Sequence, residues 1–459
     1  MDDYYRADSP DEWVRTVMQE RQRGVDVALM DVQDADLYVV LVDMSNGSAI
    51  RRGVRLSSSP GVPRLSIAGV GEVIWAQDAL GQVVRWHGQA HAGKTVRGKG
   101  VFTYPLGPVR ADVSEALSYQ LSVMGDEILR LDLQNGFKVR AIAERAQGQS
   151  VAGALQLVER TTGTSTVAHA WAYCQAVEAA RGWTMPPAVE LSRTVLAELE
   201  RVMSHLGDLA ALAVATGLSV PQMAYLQLKE RILRVNYQLT GHRYGRGSIV
   251  PGGVGGHSPD GQQRAGWRRE MAAIRAEAEK LQAALEHTPS FLDRLEGAGT
   301  IPARVIHYVR PVGPVGRSAG RPMDVRVNRP YGLYGASRIP VPVLPNADAR
   351  SRFRVRAEEL EVSLGILERH ISDWSPGMMG GETYAGDRQW GLGMVEAPRG
   401  QLTYAVTLNA AGTVEHLALA TPSARNWYVV PPAMQNHNIL QDFPIIDASF
   451  NLSVAGWDQ

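Results

Sequence analysis

Cysteine is almost missing from this chain. Cys174 is the only one among 459 residues. No intrachain disulfide can form, and no iron–sulfur cluster of the usual four-cysteine type can be held. The single thiol lies in an apolar run, Ala170–Ala180, and reads as a buried packing group. Net charge is missing too. The 47 basic residues equal the 47 acidic ones, which leaves no electrostatic footprint for nucleic acid. Long hydrophobic runs are also lacking. The most apolar stretch, Leu209–Leu218, is too short to span a bilayer and is broken by Thr216 and Gly217. The opening residues, MDDYYRADSPDE, are acidic and lack the basic and apolar regions of a signal peptide. A cytoplasmic chain is expected, with any membrane association arising through partner subunits.

The length suits two or three domains. Residues 1–95 read as a small α+β unit. A helix is expected over Pro10–Gln22 with Ser9 as N-cap, and strands over Leu37–Val42 and Val54–Leu56. His87 and His91 are four apart, but Gly88 between them favours loop histidines over zinc ligands. Gly-Pro chemistry predicts a turn at Leu106-Gly107-Pro108. Strand pairs should follow within 116–146, leading into a helix over Val139–Arg145. The centre is helical by periodicity. Pro187–Ala215 repeats Leu191, Val195, Leu199, Val202, Leu206 and Leu209, and Gly217 ends it. A second helix spans Gln222–Leu239, with Leu226, Ile232, Val235 and Leu239 inward. A third spans Gln262–His287 and a fourth Ala349–Ile371. Such helices with short links imply a bundle. Near the end, Leu402–Leu408 and Val414–Leu419 alternate around Asn409–Gly412 as a hairpin. Pro376–Gly393 reads as a surface loop. The glycines of 245–256 lack phosphate-loop spacing and read as a loop. His205 and the charge run Arg264–Lys280 read as solvated helix faces.

Residues 159–178, ERTTGTSTVAHAWAYCQAVE, carry the most specific signal. They resemble the first metal motif of the [NiFe] hydrogenase large subunit, ER-x-C-G-x-C-x-VAHA, with its following helix. The resemblance continues in order through YPLGPVRADVSEA (104–116), ELERVMSHLGDLAALA (198–213), LTGHRYGRGSIVPGGV (239–254), PSFLDRLEGAG (289–299), VEAPRG (395–400) and DFPIIDASFNLSVAGWD (442–458). The chain looks most like large subunits of energy-converting, hydrogenase-4-like complexes that lack the metal cysteines. The complex I 49-kDa quinone-site subunit shares that fold. The implied fold class is α+β: a small N-terminal α/β domain, then a mainly helical bundle with peripheral β-hairpins. The domains would be 1–95, resembling the complex I 30-kDa-type subunit, and 96–459, resembling the hydrogenase large subunit.

The resemblance also marks the departures. Thr162, Ser165, Ser449 and Leu452 stand at the four thiolate positions. Neutral hydroxyls are weak ligands and leucine is none, so no metal is expected here. The sequence ends soon after, so no cleaved extension is expected. Complex I uses a histidine and a tyrosine at the quinone headgroup. Arg110 and Gly163 occupy those positions. Of the H-R-G-x-E segment only Arg140 survives, since Val139 and Ala143 replace the histidine and glutamate. The resemblance places Arg110, Thr162, Gly163, Ser165, His169, Arg399, Asp447 and Ser449 around one pocket. Catalytic roles would fall to His169, Arg399 and Asp447, with His169 as a proton carrier near neutral pH and Arg399 as a fixed charge. A quinone or a small anionic ligand would suit that lining. In the alternative, the cavity is packed shut and Arg399 pairs with Asp447.

The implied function is electron transfer to a non-hydrogen acceptor, coupled to ion translocation, on the cytoplasmic side of a membrane. This chain would carry no cofactor. The cluster would sit in an iron–sulfur partner of the complex I 20-kDa type, alongside antiporter-like and proximal membrane subunits. The alternative is a non-catalytic scaffold coupling a soluble module to a membrane module.

Overall fold

The computed structural model describes the strands within 25–74 and residues 96–458 apart from 111–114, 337, 379–388 and 436. The expected Pro10–Gln22 helix, Leu56, His87 and His91 lie outside the described residues. Val25–Gln33, Asp36–Asp43 and Ala49–Arg55 pair as an antiparallel sheet, and Arg64–Ile67 pairs with Gly71–Ile74. A further three-stranded sheet follows, ordered Val101–Leu106, Ser118–Met124, Glu127–Gln134. The helix expected at Val139–Arg145 is shorter, Ile142–Ala146.

The central helix runs over Pro187–Ala215. Proline stands at its first turn, where a missing N–H costs nothing, and Gly217 stops it with φ of 84°. The other long helices are Ser219–Thr240, Gly261–Glu286 and Ala349–His370. Asp260 opens Gly261–Glu286 with a capping box, and Asp348 caps Ala349–His370. The central helix packs against Ser219–Thr240, Ala349–His370 and the Phe443–Phe450 helix. It is therefore buried on nearly every side, and its charged residues go inside with the leucines. His205, expected in solvent, is fully buried. Leu226, expected inward, is among the exposed hydrophobics, because the Ser219–Thr240 helix turns that edge outward. Arg264–Lys280 behaves as a solvated face, with Arg275 and Glu279 paired at i,i+4.

The signature helix, Thr166–Ala180, lies against a three-stranded antiparallel sheet. The strands are Gln389–Ala397, Gly400–Leu408 and Val414–Ala420, with the second in the middle. The expected hairpin is present, extended by a third strand. That third strand contains Gln389–Gly393, so the loop expected over Pro376–Gly393 ends earlier than proposed. The contact is made backbone to backbone. Ala168, Ala172, Ala176 and Ala180 recur every fourth residue along the helix. Gly391 and Gly393 face them on one side of the strand. A Cβ on Gly393 would stand 1.8 Å from the Ala172 carbonyl oxygen, and one on Gly391 2.0 Å from that of Ala176.

Candidate functional site

The turn before the signature helix and the end of the three-stranded sheet enclose a cavity. Thr162, Ser165, His169, Ala397, Arg399, Leu402, Thr421, Ser423 and Ser453 face it. Its free volume is ≈ 10 Å³, room for about one water. Hydroxyls dominate the lining, and most are already engaged. Thr421 Oγ1 donates to the Gly456 carbonyl and accepts from Ala424 N–H. Ser423 Oγ accepts from Ser453 N–H at 3.0 Å. Thr162 Oγ1 is buried without a partner.

His169 is buried, and its Nδ1 lies 2.7 Å from the Tyr404 hydroxyl. Burial alone pushes its pKa down to about 3. The imidazole is neutral at neutral pH, which corrects its assignment as a proton carrier there. Its folded value lies below the unfolded 6.5. The unfolded chain therefore takes a proton that the native chain refuses, and stability is lost as pH falls from 6.5 towards 3. His169→Gln should flatten that part of a urea-midpoint profile. An unchanged slope would disprove the assignment.

Arg399 occupies the two-residue turn between Gln389–Ala397 and Gly400–Leu408. Gly313 packs against this turn so closely that its Cβ would meet the Arg399 carbonyl. The guanidinium is held from three directions. Nε donates to the Asn451 carbonyl at 2.6 Å, Nη1 donates to Thr164 Oγ1 at 2.6 Å, and Nη2 lies 3.9 Å from Asp208 Oδ1. Asp208, on the central helix, also accepts from Arg356 Nε at 3.0 Å and from Asn451 Nδ2. Glu200, one face away, accepts from Val167 N–H at 2.6 Å and Ala168 N–H at 2.9 Å. It thus caps the signature helix from inside. Burial raises its pKa to about 8 despite these bonds.

Four expected pocket residues are not in the lining. Asp447 accepts from Arg110 Nη2 at 3.3 Å and from the Tyr119 hydroxyl at 2.9 Å. Arg110 in turn lies over the Tyr119 and Phe443 rings. The Arg399–Asp447 pair considered above does not form, because each has a nearer partner. Gly163 is exposed at the turn. Ser449 is buried behind the cavity wall, where its hydroxyl accepts from Arg352 Nε at 2.9 Å and donates to the Ile446 carbonyl at 2.7 Å. Leu452 is partly buried against the main core. A thiolate-bridged nickel–iron pair does not fit this donor set. One position is an orphan hydroxyl, one a hydroxyl already committed to arginine, and one a hydrocarbon.

The reading from sequence missed Asp208, Glu200, Tyr404 and Arg352. Asp208 and Glu200 lay inside ELERVMSHLGDLAALA, where acids alternate with leucines too densely for a helix with one wet face.

The sequence model of the respiratory-chain NADH dehydrogenase 49-kDa subunit matches residues 216–392. Residues 216–392 match a complex I 49-kDa-type domain. Among relatives of this chain, the carbon monoxide-induced hydrogenase of Rhodospirillum rubrum is 26% identical over 351 residues, 75% of this chain and 96% of that one. Formate hydrogenlyase subunit 5 of Escherichia coli is 29% identical over 301 residues, 64% of this chain and 52% of that one. The fold matches a chain of the membrane-bound sulfane sulfur reductase, an archaeal respiratory membrane complex. The TM-score is 0.73 at 23% identity, covering 79% of this chain and all of that one. The homologues of this chain are subunits of membrane-bound hydrogenase-like and complex I-like complexes. Among the described residues, no helix is long and apolar enough to cross a membrane.

Proposed function

We propose that this chain is the large subunit of a membrane-associated complex of the complex I and hydrogenase-4 type. It is seated on the cytoplasmic face against an iron–sulfur subunit of the 20-kDa type, next to proximal and antiporter-like membrane subunits. Within that complex it acts as a coupling element rather than a seat of metal redox chemistry. The observation that carries this reading is the engagement of Arg399. Its guanidinium donates to Asn451 and Thr164 and lies 3.9 Å from Asp208, and the space beneath has room for about one water. Arg399 thereby ties the signature turn, the central helix and the C-terminal segment together.

The test is Arg399→Ala in the purified complex. Assembly and electron flux through the partner cluster should persist, while ion translocation per electron falls at least about tenfold, as expected for loss of one buried charge-assisted contact. Loss of electron flux with intact assembly would favour the second reading. Nickel in stoichiometric amount would sink both.

The second reading is electron transfer to a non-hydrogen acceptor such as a quinone. The Arg110–Asp447 pair favours it. That pair is still 11% and 23% exposed, and it adjoins Val109, which is 86% exposed. A cation, a carboxylate and an apolar turn meet there near the surface, with the buried Tyr119 hydroxyl behind them. An acceptor would bind at that mouth and not in the closed cavity.

A further inference from the structure

Seven charged side chains form a single buried network centred on Arg317. Its Nε donates to Glu359 Oε1 at 2.6 Å, and its Nη1 donates to Glu396 Oε1 at 2.8 Å. The same Nη1 lies 3.4 Å from Asp324 Oδ2. Arg326 holds Asp324 at 2.7 Å and Glu198 at 3.3 Å. Arg201 reaches Glu198 at 3.5 Å. All seven are buried. Four carboxylates therefore face three guanidiniums. The next cation, Arg356, is spent on Asp208. His205 meets Glu359 at 2.9 Å, and its Nδ1 has no partner.

Burial holds the His205 pKa down, so with the seven ionised and His205 neutral this dry cluster would carry one uncompensated negative charge. Burying such a charge costs more than protonating the acid that bears it. Glu198 meets both Arg201 and Arg326, and Glu396 is the acid with the fewest contacts to basic side chains. It has one corner of Arg317, shared with Asp324, and the Val325 N–H at 3.0 Å. Arg201, from the central helix, is turned to the Glu396 and Ala397 carbonyls instead. By contrast Asp324 has two contacts from the Arg326 side chain, and Glu359 has both Arg317 and His205.

We propose that this cluster is a proton-binding site holding one exchangeable proton, resident on Glu396. Burial and the neighbouring Asp324 push the Glu396 carboxyl above its ordinary range. Against its own burial, Asp324 is drawn down to about 2 by Arg326 and Arg317. The site sits one residue from Ala397, in the cavity wall. A proton here places a movable charge at the end of the strand that leads into the Arg399 turn. The site stands on charge balance, whatever the role of the cavity.

Infrared spectroscopy of the full chain at neutral pH tests it, because only a protonated carboxylic acid gives the high-frequency carbonyl band. Glu200, whose pKa is raised to about 8, contributes a band of its own and Glu200→Gln identifies it. Glu396→Gln should remove one further band. If that variant fails to accumulate, Glu396→Asp keeps the acid and should move the band. A spectrum unaltered by Glu396→Gln, or a band unmoved by Glu396→Asp, would overturn the proposal.

Discussion

Gly393→Ala is expected to prevent stable folding of the protein. The added methyl would stand 1.8 Å from the Ala172 carbonyl oxygen and 2.8 Å from the Ala176 nitrogen. Both are helix backbone, so no rotamer can relieve the clash. The signature helix and the sheet would have to separate, opening the packing around His169, Tyr404 and the cavity. Overpacking of flexible side chains costs about 1–3 kcal/mol. A backbone collision of this depth should cost about 3 kcal/mol or more. Gly163→Ala is the matched control, since a Cβ there meets nothing within 4 Å. It should stay within about 0.5 kcal/mol of the parent. Urea midpoints and soluble yield of the two variants decide the matter. Equal midpoints would show that the close approach is not needed.

Arg317→Leu is the second large effect. The substitution roughly keeps side-chain volume but strands Glu359, Glu396 and part of Asp324 in the interior. Removing one member of a buried ion pair costs about 3–5 kcal/mol, because the remaining charge has neither water nor partner. The same change at Arg275 separates this from ordinary ion-pair loss. Arg275 also meets three carboxylates, Glu279, Glu361 and Glu368, but it is 36% exposed. Its loss should cost no more than about 1 kcal/mol. Chemical denaturation of both variants at neutral pH would show the gap, and similar midpoints would contradict the burial argument.

Much of the fold was legible before the coordinates. Helix positions followed from apolar periodicity: the central helix has the expected bounds, and the Ala349–His370 helix ends within one residue of them. The resemblance placed Thr162, Ser165, His169 and Arg399 together, and they do line one cavity. It placed Arg110, Asp447 and Ser449 there too, and local partners took each of them. Tyr119 and Arg110 claim Asp447, and Arg352 claims Ser449. Alignment locates a residue in the chain but does not say where its side chain turns once the thiolates are gone. The charges on the central helix were read as its wet face. Periodicity could not reveal that other arginines would come to meet them, because Arg317, Arg326 and Arg356 are more than 100 residues distant from their partners on that helix or bridge to it through acids elsewhere. The Ala and Gly pattern at 168–180 and 391–393 was visible but belonged to two distant segments.

That pattern has a mechanical consequence. Where a helix rests on a strand through carbonyls and bare Cα atoms, there is no layer of side chains to deform. The two behave as a stiff plate rather than as a cushioned joint. A push on the exposed turn at Gly163 would move helix and strand together. The edge of the plate nearest that turn carries Glu396, so displacement at the surface becomes a change of electrostatic setting deep inside.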